Sequence, residues 1–183
     1  MSKLKVISLF AGPGAGKSTT AAALFARMKK ERFDVELVTE YAKDLTYEKS
    51  FGKLSNQLHV LGEQNYRLAR LEGQAEYAVT DSPIALGLIY GKPEDQRWLT
   101  DIIEHLWWGV YINLPFVLKR TRLPFQQMGR NQNYEEALAL DARIYELATK
   151  QFGAEHVVDP DHPDCIDYMV RTIRQQFDDY DGP

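Results

Sequence analysis

Cysteine is almost missing from this 183-residue chain: Cys165 stands alone and can form no internal disulfide, which fits a reducing compartment such as the cytosol. Nowhere do 18 apolar residues run together, and the start Met1-Ser2-Lys3 lacks the apolar stretch of a secretory leader. A cytoplasmic protein with no membrane partner is the expectation. An excess of positive charge is missing too, since the formal net charge is −4. That argues against broad, charge-driven binding of nucleic acid and leaves room only for a local basic cleft. The four histidines show no metal-ligand spacing, which with a single cysteine argues against a zinc site. Repeats, low-complexity tracts and linkers are absent as well. One domain over 1–183 is expected, ending in an acidic, frayed tail at 178–183.

What the chain does carry begins at residue 11. Ala11-Gly12-Pro13-Gly14-Ala15-Gly16-Lys17-Ser18-Thr19 follows an apolar run, residues 4–10, and precedes the helix-forming Ala21-Ala22-Ala23-Leu24-Phe25. Strand, glycine-rich turn, Lys-Ser pair and helix in that order make a phosphate cradle. Glycines let the backbone curl so that successive N–H groups face phosphate oxygens, and the helix start adds its positive dipole end. Gly12, Pro13, Gly14, Ala15, Gly16, Lys17, Ser18 and Thr19 are therefore the nucleotide-binding residues. Lys17 reaches the β and γ phosphates and the Ser18 hydroxyl holds Mg²⁺. Ala11 stands where the pattern usually has its first glycine, a small-residue variant.

The remaining pattern alternates strands with helices. Helix is expected at 17–30, strand at 34–39, a polar stretch, and an amphipathic helix at 55–73 with Gly73 as its stop. A strand at 77–80 ends on Asp81, where Pro83 blocks extension. Helix at 94–105, a buried strand at 107–114, helix at 134–152, strand at 156–159 and a closing helix at 163–177 complete the order. Such alternation means a parallel α/β sheet. Ligands of these sheets sit beyond the carboxyl ends of the strands. Phe10, Thr39-Glu40 and Thr80-Asp81 should therefore converge on one cleft.

With the loop, the strand-end acids and the arginines of 119–134 in view, the chain resembles the P-loop kinases of nucleosides and nucleotides. The nearest branch holds ribosylnicotinamide kinases, deoxynucleoside kinases, thymidylate kinases and phage-encoded relatives. Val38-Thr39-Glu40-Tyr41-Ala42-Lys43 looks like the second-strand segment of ribosylnicotinamide kinases, and Thr80-Asp81-Ser82-Pro83 resembles the third-strand motif. Ser82 departs from the arginine that many relatives have after the acid. The resemblance implies a three-layer fold whose five-stranded parallel sheet has order 2-3-1-4-5. It also implies a carboxylate at 40 facing the acceptor hydroxyl and a mobile lid over about 115–134 carrying Arg120, Arg122 and Arg130. ATP and Mg²⁺ are the implied cofactors. From the helix at 55–73 it suggests Gln64 and Arg67 as acceptor-binding groups.

Each assignment has a plainer alternative. Glu40 is the preferred base or acceptor-orienting residue, and otherwise a solvated acid or helix cap. Asp81 is the preferred Mg²⁺ residue, although either acid suits the base. Arg120, Arg122 and Arg130 suit phosphate because a rigid guanidinium fork stays charged, with Gly129 as a hinge; the alternative is a basic surface loop. Phe116 and Phe125 are the better aromatic stacking candidates, whereas core packing accounts for Trp107 and Trp108. Cys165 reads as inert packing.

Three function classes compete. The first is a kinase that phosphorylates a nucleoside-type hydroxyl, with 5-hydroxymethyluracil in phage DNA as the leading acceptor and a free nucleoside, nucleotide or ribosylnicotinamide close behind. The second is an ATPase or GTPase switch, disfavoured because the chain lacks an Asn-Lys-x-Asp signature and has one acid, not two, after the third strand. The third is a binding module without catalysis, against which Lys17, Ser18 and Asp81 all speak.

Overall fold

Six consecutive buried residues, Lys5–Phe10, form β1, and the chain around it divides its apolar side chains by parity. Leu4, Val6 and Phe10 enter one apolar cluster, while Ile7 and Leu9 enter another. A strand buried on both faces needs a helix layer on each side. The computed structural model, which describes residues 2–121 and 134–178, provides both. On one face α1 (Lys17–Lys30) and α8 (Cys165–Asp178) supply Leu24, Met28, Met169 and Ile173. On the other lie α4 (Gln57–Ala69), α5 (Gly87–Tyr90), α6 (Gln96–Glu104) and α7 (Tyr134–Glu146), with Leu61, Leu88, Leu99, Ile103 and Ile144. Two short helices, α2 (Tyr41–Tyr47) and α3 (Phe51–Leu54), occupy the polar stretch after the second strand.

The sheet is parallel and five-stranded, in order β2-β3-β1-β4-β5, as the family resemblance implies. Its other strands are β2 Val35–Val38, β3 Tyr77–Thr80, β4 Ile112–Leu118 and β5 His156–Val158. Ser8 is level with Thr80, and Val38 is level with the same Thr80. That register brings the ends of β1, β2 and β3 to one edge of the sheet. Among the described residues no helix is long and apolar enough to cross a membrane.

One strand expectation fails. The apolar run 107–114 is strand only from Ile112, where β4 begins, and β4 continues to Leu118. Its first part is a π-helical turn, His105–Val110, that prolongs α6. A short apolar run fits either state by periodicity, and packing decides between them. Trp107 is needed under the sheet, where it meets Phe10 and Phe152 edge-on at centroid distances of 5.8 and 4.9 Å. Pro115 does not end the strand, because β5 pairs with β4 only from Phe116 onward and loses no bond to it.

Two aromatic assignments change with this shift. Phe116 is fully buried in the cluster on the α1–α8 face and is no stacking residue. Trp108 is 59% exposed, against 1% for Trp107, so core packing explains only one of the pair. Cys165 is buried as expected. Arg122, Phe125, Gly129, Arg130 and the tail 179–183 lie outside the described residues.

The two tryptophans give a direct test of this packing. Trp107→Ala should destabilise the protein by about 3–5 kcal/mol, whereas Trp108→Ala should cost about 1 kcal/mol or less. Equal losses in urea unfolding would contradict the packing described.

Candidate functional site

Backbone geometry makes the loop after β1 concave. Gly14 and Gly16 have φ of 81° and 93°, values that side chains rarely tolerate. Gly16 caps α1 without any side-chain hydrogen bond, so the first amides of the helix face the loop. Lys17 Nζ folds back onto the loop, donating to the carbonyls of Ala11 at 2.7 Å and Gly12 at 3.2 Å. Burial pushes the Lys17 amine below its ordinary value, opposed by the carboxylates of Glu40, Asp81 and Asp141. Lys17 Nζ is thus held on the loop by two carbonyls, at the border of the cavity that Glu40 also lines.

The two strand-end acids are held differently. Asp81, directly after β3, is only 4% exposed, and its Oδ1 is buried with no hydrogen-bond partner among the described residues. An orphaned carboxylate oxygen is costly in a dry site and suits a cation. Ser18 lies on the cavity wall. The donor set, one hydroxyl and one carboxylate, suits magnesium, which takes oxygen ligands and completes its shell with phosphate and water. Ser18 and Asp81 therefore fit such an ion.

Glu40 caps α2, and both of its neighbours are braced by α4. Gln64 accepts from the Tyr41 amide at 3.0 Å and donates to the Thr39 carbonyl at 3.3 Å. Arg67 donates to the same carbonyl at 3.3 Å, pairs with Asp44 at 2.7 Å and lies over the Tyr41 ring. Gln64 and Arg67 thus hold the backbone that carries Glu40. Gln64 also borders the cavity, but both ends of its amide are engaged by backbone.

One cavity of about 480 Å³ is bordered by Lys17, Ser18, Glu40 and Gln64, and by Ser82 next to Asp81. Phe51, Gln57, Ile84, Leu86 and Tyr90 also line it, and its wall is polar and apolar in about equal share. Burial, then the Glu40 and Asp141 carboxylates, push the Tyr90 hydroxyl above its ordinary value.

Arg120 does not project from a lid loop. Its side chain is 7% exposed, and Nε and Nη2 fork onto Asp141 at 2.5 and 3.1 Å. Nη2 also donates to the Pro13 carbonyl at 2.8 Å, and the Gly12 amide donates to Asp141 Oδ1 at 2.9 Å. The structure therefore gathers Lys17, Ser18, Glu40, Asp81 and Arg120 at one edge of the sheet. Asp141 and Tyr90 join them without any sequence signal, for Asp141 lies 129 residues from its partner Gly12. Helical spacing alone marks Asp141 as one more residue of α7.

Comparisons with known proteins agree with this architecture. The chain matches the family model described as "AAA domain" over residues 6–163. Among solved structures, the NadR protein in complex with NR aligns at 16% identity and a TM-score of 0.64, covering 93% of this chain and 51% of that one. This chain thus spans about half of the NadR chain. A deoxyadenosine kinase from M. mycoides with bound dATP aligns at 18% identity and a TM-score of 0.57, covering 92% and 98%. A thymidylate kinase from Ehrlichia chaffeensis aligns at 17% identity and a TM-score of 0.57, covering 96% and 100%. At such identities the likeness establishes the fold alone. No curated protein matches the sequence.

The lowered Lys17 value makes a pH prediction. A triphosphate binds the ammonium form, so affinity should fall as pH rises through the depressed value, before the ordinary 10.5 of lysine is reached. Calorimetric titration with magnesium–ATP from neutral to alkaline pH should show this fall, and Lys17→Met should flatten it. A wild-type affinity unchanged up to about pH 10 would contradict it.

Proposed function

The chain belongs to this AAA-domain family, and from that premise we propose that it is a kinase. It moves the γ-phosphate of ATP, with Mg²⁺, to a hydroxyl of a free nucleoside-type acceptor. The observation that carries this reading is the single cavity bordered by both Lys17 and Glu40. A switch that hydrolyses ATP needs room for one water beyond the γ-phosphate. Here the cavity runs on past Gln57, Ile84 and Tyr90, giving room and chemistry for an organic acceptor with a flat, partly polar face.

Phosphoryl transfer asks the protein for position and charge. The loop amides and Lys17 hold the β and γ phosphates, while Ser18 and Asp81 would hold magnesium, whose charge would offset that of the phosphates. Glu40, fixed by Gln64 and Arg67 through its neighbours, orients the acceptor hydroxyl and takes its proton. Tyr90 donates a hydrogen bond along the same wall. Arg120 supports the loop from behind. Arg122 and Arg130 would add charge over the phosphates, and Phe125 would stack on the acceptor.

A free acceptor takes precedence over hydroxymethyluracil within DNA. The similar structures are named for a deoxyadenosine kinase, a thymidylate kinase and a protein in complex with NR, all small-molecule contexts. The net charge of −4 points the same way.

Three measurements test the proposal. ATP consumption should depend on an added hydroxyl compound, found by screening labelled γ-phosphate transfer onto nucleosides, nucleotides, ribosylnicotinamide and hydroxymethyluracil DNA. Full-rate consumption with water alone would make the protein a switch. With the acceptor in hand, Glu40→Gln should lower kcat by about 10²–10⁴-fold while ATP affinity stays within about threefold. A parallel loss of ATP binding would make Glu40 structural. Asp81→Asn should raise the magnesium concentration needed for half-maximal rate by about 10–100-fold, and an unchanged requirement would remove it from the metal site.

A further inference from the structure

Gly12 poses a question that the phosphate-cradle motif does not answer. Unlike Gly14 and Gly16, it is not among the residues of positive φ, so conformational freedom does not explain why it is glycine. Close approach does. A Cβ built on Gly12 would stand 2.3 Å from Asp141 Oδ1, 3.0 Å from the Ala137 carbonyl and 3.1 Å from Arg120 Nη2. Helix α7 therefore packs directly on the start of the loop, and only a residue without a side chain lets it.

We propose that Asp141 is a positioning residue for triphosphate binding, acting through the Gly12 amide and through Arg120. Its two oxygens bind both groups at once. Oδ1 accepts from the Gly12 amide and from Arg120 Nη2, Oδ2 accepts from Arg120 Nε, and Nη2 also holds the Pro13 carbonyl. Two consecutive residues of the loop are thus tied by opposite groups, one N–H and one C=O. Both ties end on elements that do not belong to the loop: Arg120 follows β4, and Asp141 sits on α7. The loop entrance is set by this pair, leaving the later amides, from Gly14 to Thr19, to converge on phosphate. With the Gly12 amide engaged by a carboxylate, it is part of the wall that shapes the cradle.

Charge and geometry make opposite predictions here, which gives the proposal its edge. Asp141 is a carboxylate at the back of a site for a polyanion, close enough to favour the charge on Lys17, while Arg120 opposes it. On charge alone, deleting Asp141 removes repulsion, leaves Arg120 uncompensated, and should tighten triphosphate binding. On positioning, deletion frees the Gly12 amide and Arg120, lets the loop relax and weakens binding.

The inference rests on the loop being a triphosphate site, and the experiment separates the two. Magnesium–ATP is titrated calorimetrically into wild type, Asp141→Ala, Asp141→Asn and Arg120→Lys, each first shown to be folded by its unfolding transition. Asp141→Ala should bind about 10–100-fold more weakly. Asp141→Asn, which keeps an Oδ1 acceptor for Gly12 but loses the ion pair, should fall between it and wild type. If Asp141→Ala does not fold, the comparison of Asp141→Asn with wild type carries the test, with weaker binding expected. A variant with a lower melting temperature whose ATP affinity equals or exceeds that of wild type overturns the positioning role, since a purely structural pair would behave so. Absence of ATP binding in the wild type would instead overturn the nucleotide site itself.

Discussion

Everything in this molecule depends on β1 being paired on both sides. Its bonds to β3 and β4 fix where the chain leaves the sheet at Phe10, and hence where the loop curls. The same pairing sets Asp81 beside that loop, since Ser8 and Thr80 are level. Parallel strands cannot slip by one residue without turning every buried side chain to the wrong layer. The two apolar layers around Val6 and Ile7 therefore hold the register, and the register holds the site.

From this frame, the site is assembled by backbone contacts made from a distance. Gln64 and Arg67 brace the carbonyl of Thr39 and the amide of Tyr41, so Glu40 is held by its neighbours. Asp141 and Arg120 do the same for Gly12 and Pro13. In both cases a side chain from a later helix fixes a loop backbone, and the loop presents the reactive group. Asp81 is the exception, a buried carboxylate with one oxygen that has no hydrogen-bond partner among the described residues. Such oriented charge in a partly dry cleft is what phosphoryl transfer requires.

Much of this was legible in the sequence, and the limits have physical causes. The helix expected at 17–30 and the strand at 77–80 appear with those bounds, because glycine turns and strand-end acids mark them sharply. Glu40 and Asp81 follow from the strand-end rule and Lys17 and Ser18 from the phosphate-loop motif; Lys17, Ser18 and Glu40 border one cavity, and Asp81 follows β3 at the same edge of the sheet. Trp107 and its neighbours misled because an apolar run is silent about whether it will prolong a helix or start a strand. Phe116 and Trp108 exchanged places for the same reason, once the strand moved by several residues. Arg120 was marked as a phosphate group by its type, but its partner Asp141 is distant in the chain and no local pattern names it. Long-range pairs are where a single sequence falls silent.

The most direct test of the central claim is a crystal structure with a non-transferable ATP analogue and magnesium. The account predicts the terminal phosphorus inside the cavity, beside Lys17, with the metal between Ser18 and Asp81 and with Glu40 across from the terminal phosphate. An analogue bound elsewhere, or a terminal phosphate separated from Glu40 by a closed wall, would contradict it.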